Sequence, residues 1–355
     1  GIGRTLYPQD GPLRVVVGYD ARYGSHTFAA TTAEVFAGAG FEVMLLPTPG
    51  PTPLIPWLVQ NRRMDAGVQI TASHNGAADN GYKVFLANGR QLYSEMEADL
   101  EAHIQAVEDP VQVPRVTVRP AGDQLRRYID EIVSLVTPGQ ADLLRVNSER
   151  ANLRIISTAL HGVGGRAMSN AFQFAGFPLA HPVREQQHPD PTFPTVPFPN
   201  PEEPSAIELL LARAAEEDAD ILFALDPDAD RCAVGIRTPD GGHRMLTGDE
   251  TGTLLATRIV PEWDGQGAAP VVATTVVSSQ LLRVIAEDKG WDYQETLTGF
   301  KHLSRAADGR PGSLAFAYEE AVGTCPAPEI VPDKDGIATA LFTAAWAAEL
   351  KSAGI

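Results

Sequence analysis

The sequence predicts an α/β protein made of three tandem domains, each on the same strand–helix–strand core, with mixed, mostly parallel sheets. Three observations lead there. A strand, a helix, a Gly-aromatic pair and a second strand recur three times along the 355 residues. Buried-looking apolar runs lead directly into polar, motif-like loops. No apolar run approaches the ~18–20 residues that would make a membrane span the better reading.

The first copy runs from the strand Val15–Val17 through a helix around Thr31–Ala39 to Gly40-Phe41 and the strand Val43–Leu46. The second runs from Arg154–Ser157 through the loop His161–Gly165 and a helix to Gly176-Phe177. The third starts at Val271–Thr275, passes Ser278-Ser279 and a helix, and reaches Gly290-Trp291. Glycine suits the left-handed cap that ends a helix, and the aromatic after it can fold onto the last turn. Strand–helix–strand units of this length imply right-handed crossovers between parallel strands. Composition shifts at Thr137–Asn152 and Pro261–Pro270 divide the chain into units 1–145, 146–263 and 264–355. The helix Gln124–Val136 is expected to belong to the first unit, and the Pro-rich stretch Gln186–Pro204 to form an ordered loop within the second.

The formal charge is −17. Such a surface repels nucleic acid and anionic membranes, so neither is expected as a partner. It also repels phosphorylated metabolites, so a phosphate site would have to be locally basic. Cys232 and Cys325 lack the spacing of a metal or redox motif and cannot build a disulfide framework, which suggests a reducing, cytoplasmic setting. No signal peptide is visible, and Gly1 in place of Met suggests a processed product or a fragment.

Three loops carry chemistry. Thr71-Ala72-Ser73-His74-Asn75 follows the apolar segment Ala66–Ile70, placing Ser73 at a strand exit as a candidate nucleophile. There is no GxSxG elbow. In extended geometry His74 would point to the opposite face from Ser73, which makes it a poor base. The Asn80-Gly81 turn could return Lys83 toward the serine.

The second loop follows the continuous apolar run Ile221–Leu225 and reads Asp226-Pro227-Asp228-Ala229-Asp230-Arg231. Carboxylates at i, i+2 and i+4 of an extended segment project to one side and repel one another unless a cation neutralises them. Oxygen ligands without His or Cys favour Mg²⁺ or Ca²⁺ over zinc. An EF-hand would need Gly and Glu where Arg231 and Arg237 stand. Three aspartates leave coordination positions for a phosphate oxygen, and Arg231 adds a guanidinium fork for phosphate. The third set is Thr298-Gly299-Phe300-Lys301, Glu319-Glu320 and Lys334. The paired glutamates follow the apolar Leu314–Ala317 and could accept hydrogen bonds from sugar hydroxyls, while Lys301 and Lys334 offer charge for a phosphate.

With these motifs in order, and with Gly18-Tyr19-Asp20-Ala21-Arg22 ahead of them, the chain from about Val15 onward resembles the α-D-phosphohexomutase superfamily. It lies nearest the phosphomannomutase/phosphoglucomutase members. The resemblance implies four domains around a central cleft, the first three on one α/β core. It implies Ser73 as phosphoryl carrier, Asp226, Asp228 and Asp230 as Mg²⁺ ligands, and Lys83 and Arg231 assisting proton transfer or phosphate charge. Arg22 would support the serine loop, and Glu319 with the Thr298–Lys301 loop would read the sugar. The implied reaction interconverts hexose 1-phosphate and 6-phosphate of mannose or glucose, with a hexose 1,6-bisphosphate as activator. Three departures stand out. The Gly-Thr-Ala-Gly-Leu-Arg-Gly type segment is missing before Leu13, the fourth domain with its Arg-x-Ser-Gly-Thr clamp is expected to be absent, and Ala321 replaces a frequent Ser. Two rivals remain: a Mg²⁺-dependent sugar phosphatase using Asp226 as nucleophile, and a noncatalytic sugar-phosphate-binding protein.

Overall fold

A computed structural model describes residues 11–122 and 124–355. The place of the missing Gly-Thr-Ala-Gly segment, within residues 1–10, lies outside the described residues.

The first unit runs β1 (Arg14–Tyr19), α1 (Ser25–Gly38), β2 (Glu42–Leu45), α2 (Leu54–Asn61), β3 (Ala66–Ile70) and β4 (Tyr82–Leu86), followed by α3 (Ser94–Gln105) and α4 (Leu125–Leu135). The second contains α5 (Leu143–Ala151), β5 (Ile155–Thr158), α6 (Gly164–Phe174), β6 (Ala180–Pro182), α7 (Glu208–Glu217), β7 (Ile221–Leu225), β8 (Cys232–Arg237) and β9 (His243–Met245). Next come α8 (Gly248–Ile259), β10 (Val271–Thr275), α9 (Leu281–Lys289), β11 (Asp292–Thr296), α10 (Phe300–Leu303), β12 (Leu314–Glu319), β13 (Gly323–Cys325) and α11 (Gly336–Ser352).

The strand orders are β2-β1-β3-β4, β6-β5-β7-β8-β9 and β11-β10-β12-β13. In each sheet the first strand pairs in parallel with the second and third, and the next strand returns antiparallel. The repeat expected from sequence is therefore one topology used three times. Its signature is equally regular. Gly40, Gly176 and Gly290 have φ of 89°, 86° and 71°. The N–H of the following aromatic donates to the carbonyl five residues back in every copy: Phe41 to Phe36 at 3.0 Å, Phe177 to Phe172 and Trp291 to Ala286 at 2.9 Å. That is the hydrogen bond of a Schellman cap, which only a left-handed residue allows.

The central strands β1, β3, β5, β7 and β10 are buried almost throughout, as parallel strands covered on both faces must be. Two helices cross the simple division of the chain. Helix α8 packs on β12, and the almost wholly apolar α11 packs on α5, α6, β7 and β8 of the second unit. Helix α4, expected with the first unit, packs chiefly against α6 while touching α2 and α11. Its Trp57 contact (6.0 Å between the Trp57 and Tyr128 rings) keeps it joined to the first unit as well. The reason is its one apolar stripe of Tyr128, Ile129, Ile132 and Val133, which faces a core shared by both units. Among the described residues no helix is long and apolar enough to cross a membrane.

Asp335 caps α11, accepting from the Ile337 and Ala338 N–H groups at 3.1 and 2.9 Å, and the Tyr128 hydroxyl donates to it at 2.7 Å. Burial pushes its carboxyl up to about 6 despite these donors. Because the folded value lies above the ordinary one, the associated stability is complete below about pH 4 and is lost as pH rises through about 6. Asp335→Asn keeps the cap and removes the ionisation. Relative to wild type, its unfolding free energy is expected to climb by about 2 kcal/mol between pH 4 and pH 6. Parallel denaturant curves for the two proteins would refute this.

Candidate active site

The motif loops leave the carboxyl ends of parallel strands, the edge of an α/β sheet at which ligands bind. Strand β1 leads to Asp20–Arg22, β3 to the serine loop, β7 to the three aspartates and β12 to Glu319. After the third strand of every copy the chain turns through a left-handed residue that is not glycine: Ser73 (φ 50°), Ala229 (φ 59°) and Val322 (φ 49°). Such conformations cost about 1–2 kcal/mol each, and they hold at these sites because surrounding contacts fix them.

Arg22, 4% exposed, is the main support of the serine loop. Its guanidinium donates to the carbonyls of Ser73 at 2.6 Å, Asn75 at 2.7 Å and Gly76, and lies 3.2 Å from the Asp20 carboxylate. Asp20 is held in turn by the Ser25 hydroxyl at 2.6 Å. Thus supported, the Ser73 hydroxyl donates to Asp226 Oδ2 at 2.8 Å, joining two motifs 153 positions apart. The left-handed Ser73 backbone also brings His74 Nδ1 to 3.4 Å from the Ser73 oxygen, where an extended chain would have turned it away. Burial and the Arg231 charge push the His74 imidazole down to about 4, so it is neutral at pH 7 and a weak base.

Asp226, Asp228 and Asp230 are fully buried, and an oxygen of each lies within 4.8 Å of the other two. Lys83 reaches over from β4 and donates to Asp228 Oδ2 at 2.7 Å and Asp230 Oδ2 at 2.6 Å, and Lys334 stands 3.5 Å from Asp230. Burial and the neighbouring Asp228 and Asp230 charges raise the Asp226 carboxyl well above the ordinary range. Burial works against Asp228 too, yet the Lys83 ammonium and hydrogen bonds hold it below that range. Asp228 Oδ1 and Asp230 Oδ1 are buried and have no hydrogen-bond partner. Buried carboxylate oxygens without donors are costly, so three carboxylates meeting around such oxygens fit a hard divalent cation. Mg²⁺ at a hundredfold its dissociation constant is therefore expected to stabilise the fold by about 2.7 kcal/mol. The gain should vanish with a chelator and in Asp230→Asn. Identical unfolding curves with Mg²⁺ and with chelator would remove the metal site.

A cavity of about 620 Å³ opens beside the serine. Of the residues singled out from sequence, Ser73, Lys83, Arg231, Thr298, Gly299, Lys301, Glu319 and Lys334 line it. Arg231 ties its walls together, donating to the Ala321 carbonyl at 2.8 Å and standing 3.3 Å from Glu319. Glu320 is not on the wall. It accepts from the Thr275 hydroxyl at 2.8 Å and the Ser278 hydroxyl at 3.1 Å, because successive residues of a strand end face opposite ways. The structure adds residues that the motifs did not mark. Gln91 and Glu97 line the cavity, Glu97 standing 3.1 Å from Lys301, and Thr52 donates to Asp228. Glu97 sits in an acidic, solvent-facing helix and Thr52 between two prolines, so neither carried a distinguishing sequence signal.

Comparison with known proteins agrees with this layout. The alpha/beta/alpha domains I, II and III of phosphoglucomutase/phosphomannomutase match residues 1–110, 126–241 and 247–353. The chain belongs to the phosphoglucomutase/phosphomannomutase family. It is 38% identical over 357 residues to the "Probable phosphomannomutase" of Haemophilus influenzae, covering 100% of this chain and 71% of that protein. It is 34% identical over 382 residues to the human phosphopentomutase, covering 99% of this chain and 61% of that one. Among solved structures, a phosphoglucomutase/phosphomannomutase family protein from Burkholderia thailandensis shares the fold with a TM-score of 0.78 at 21% identity, covering 98% of this chain and 71% of that one. The chain thus spans between about three fifths and seven tenths of the length of these relatives.

Proposed function

We propose that this member of the phosphoglucomutase/phosphomannomutase family is an intramolecular phosphotransferase that carries its phosphoryl group on Ser73 and interconverts hexose 1-phosphate and 6-phosphate. The observation that carries the reading is the 2.8 Å hydrogen bond from the Ser73 hydroxyl to Asp226, which sets a nucleophile directly against a buried acidic triad.

Asp226, Asp228 and Asp230 would hold Mg²⁺. When bound, the ion supplies charge neutralisation for a transferring phosphoryl group. In the first half-reaction the bond between phosphorus and the Ser73 oxygen breaks as a sugar hydroxyl oxygen takes the phosphorus. The hydroxyl loses its proton and Ser73 regains one, leaving a bisphosphorylated sugar. The second half-reaction returns the other phosphate to Ser73 after the sugar turns over, so a hexose 1,6-bisphosphate would activate unphosphorylated protein. Lys83, kept protonated by Asp228 and Asp230 although burial opposes it, lies where it could deliver a proton or steady phosphate charge. Arg231, Lys301 and Lys334 give the cavity the local positive charge that a chain of net −17 otherwise lacks. Glu319, with Thr298 and Gly299, would orient the sugar. Relatives bear the names phosphomannomutase, phosphopentomutase and glucose 1,6-bisphosphate synthase. Among these we favour mannose or glucose phosphates, and the two buried free cysteines suit a cytoplasmic setting.

The rival phosphatase chemistry would put phosphate on Asp226. Both oxygens of Asp226 already accept hydrogen bonds, from Ser73 and from the Arg231 N–H at 3.0 Å. Incubation with labelled glucose 1,6-bisphosphate followed by peptide mapping separates the two: label on Ser73 is expected, and label on Asp226 would replace this reading with the phosphatase.

A further inference from the structure

Thr52 lines no wall of the large cavity, yet it is 1% exposed and both of its polar donors serve one residue of another unit. Its hydroxyl donates to Asp228 Oδ2 at 2.6 Å and its backbone N–H to the Asp228 carbonyl at 2.8 Å. A threonine at the start of a helix is ordinarily expected to cap it. Helix α2 begins two residues later and has no side-chain cap, so this hydroxyl is directed elsewhere. Pro51 and Pro53 flank it. Their rings fix φ on either side, and the residue before a proline is itself restricted, so the backbone that presents Thr52 is stiff.

The consequence falls on one carboxylate. Thr52 and Lys83 both donate to Asp228 Oδ2, while Oδ1 is buried with no partner. We propose that Thr52 is a positioning residue for the divalent-cation site. By holding Oδ2, it fixes the Asp228 carboxylate so that Oδ1 is the oxygen left to take a cation. It also binds the aspartate loop of the second unit to the first unit, which carries Ser73. The inference rests on the reading of the three aspartates as a metal site, and its test separates the two.

The probe is Mn²⁺ alone, titrated into the whole chain and followed by the paramagnetic resonance signal of the free ion. Thr52→Val keeps the side-chain volume and the backbone N–H but removes the hydroxyl. It is expected to weaken Mn²⁺ binding about tenfold, the lower end of what loss of an outer partner to a metal ligand does. Thr52→Ser, which restores the hydroxyl, is expected to bind like wild type. A purely structural role for Thr52 would lower metal-free stability and leave the Mn²⁺ affinity alone. Asp228→Asn is the control. If it loses Mn²⁺ while Thr52→Val binds like wild type, the role of Thr52 is overturned and the metal site stands. If wild type and Asp228→Asn bind alike, the metal site falls and this inference with it. Should Thr52→Val not fold, Thr52→Ala makes the same comparison.

Discussion

Ser73→Ala is expected to lose phosphate incorporation entirely and to lower mutase turnover by about 10⁴–10⁶-fold, the scale on which covalent enzymes respond to loss of their nucleophile. The effect should be this large because no neighbour can stand in for the serine. His74 is a weak base with its imidazole pushed down to about 4, and Asp226, freed of the Ser73 hydroxyl, still accepts from the Arg231 N–H and lies among the carboxylates expected to hold the cation. The substitution removes one hydrogen bond to Asp226 and leaves the remaining contacts of the aspartate loop, so Mg²⁺ binding should survive. That combination, metal retained and phosphate lost, distinguishes removal of the carrier from collapse of the site. Turnover within about tenfold of wild type would show that phosphate travels by another residue.

Much of this site was legible because two chemistries have strong local signatures. An apolar strand that runs into Asp226-Pro227-Asp228-Ala229-Asp230 has few uses other than holding a cation, and the Gly-aromatic pairs mark helix ends wherever they fall. What stayed hidden depends on direction and partner, which a one-dimensional pattern does not encode. Glu319 and Glu320 are chemically identical in sequence, and only the strand pleat decides that Glu319 meets the cavity and Arg231 while Glu320 meets Thr275 and Ser278. His74 remains a poor base, but the expectation that its ring would face away from Ser73 failed, because it assumed an extended chain at Ser73, where the backbone is left-handed. Helix α11 is apolar nearly all round, so its periodicity names no face and could not disclose that it covers the second sheet. Thr52 acts on Asp228 from 176 positions away, a separation at which sequence proximity is uninformative.

Arg22 should produce the largest loss of stability around the site. Its side chain and that of Asp20 are each 1% exposed, and the guanidinium carries the carbonyls of Ser73, Asn75 and Gly76 as well as the Asp20 carboxylate. Arg22→Met keeps the length of the side chain and removes the charge. It leaves a buried carboxylate whose closest remaining donors are the Ser25 hydroxyl and the residue 22 N–H, and it leaves the loop carbonyls unmet. Breaking a buried pair from one side costs about 3–5 kcal/mol. If that cost is relieved by opening of the loop, amide hydrogen exchange across residues 71–81 should accelerate by about a hundredfold or more, since 1.4 kcal/mol corresponds to tenfold, while β1 and β3 exchange as before. Arg22→Lys should fall between, because an ammonium can meet the charge of Asp20 but cannot span three carbonyls with a planar fork. Phosphate incorporation should decline with loop order across the series, since transfer depends on where the Ser73 oxygen is held. Unchanged exchange in Arg22→Met would mean that the left-handed turn at Ser73 is held by the hairpin itself, with the arginine serving the phosphate instead.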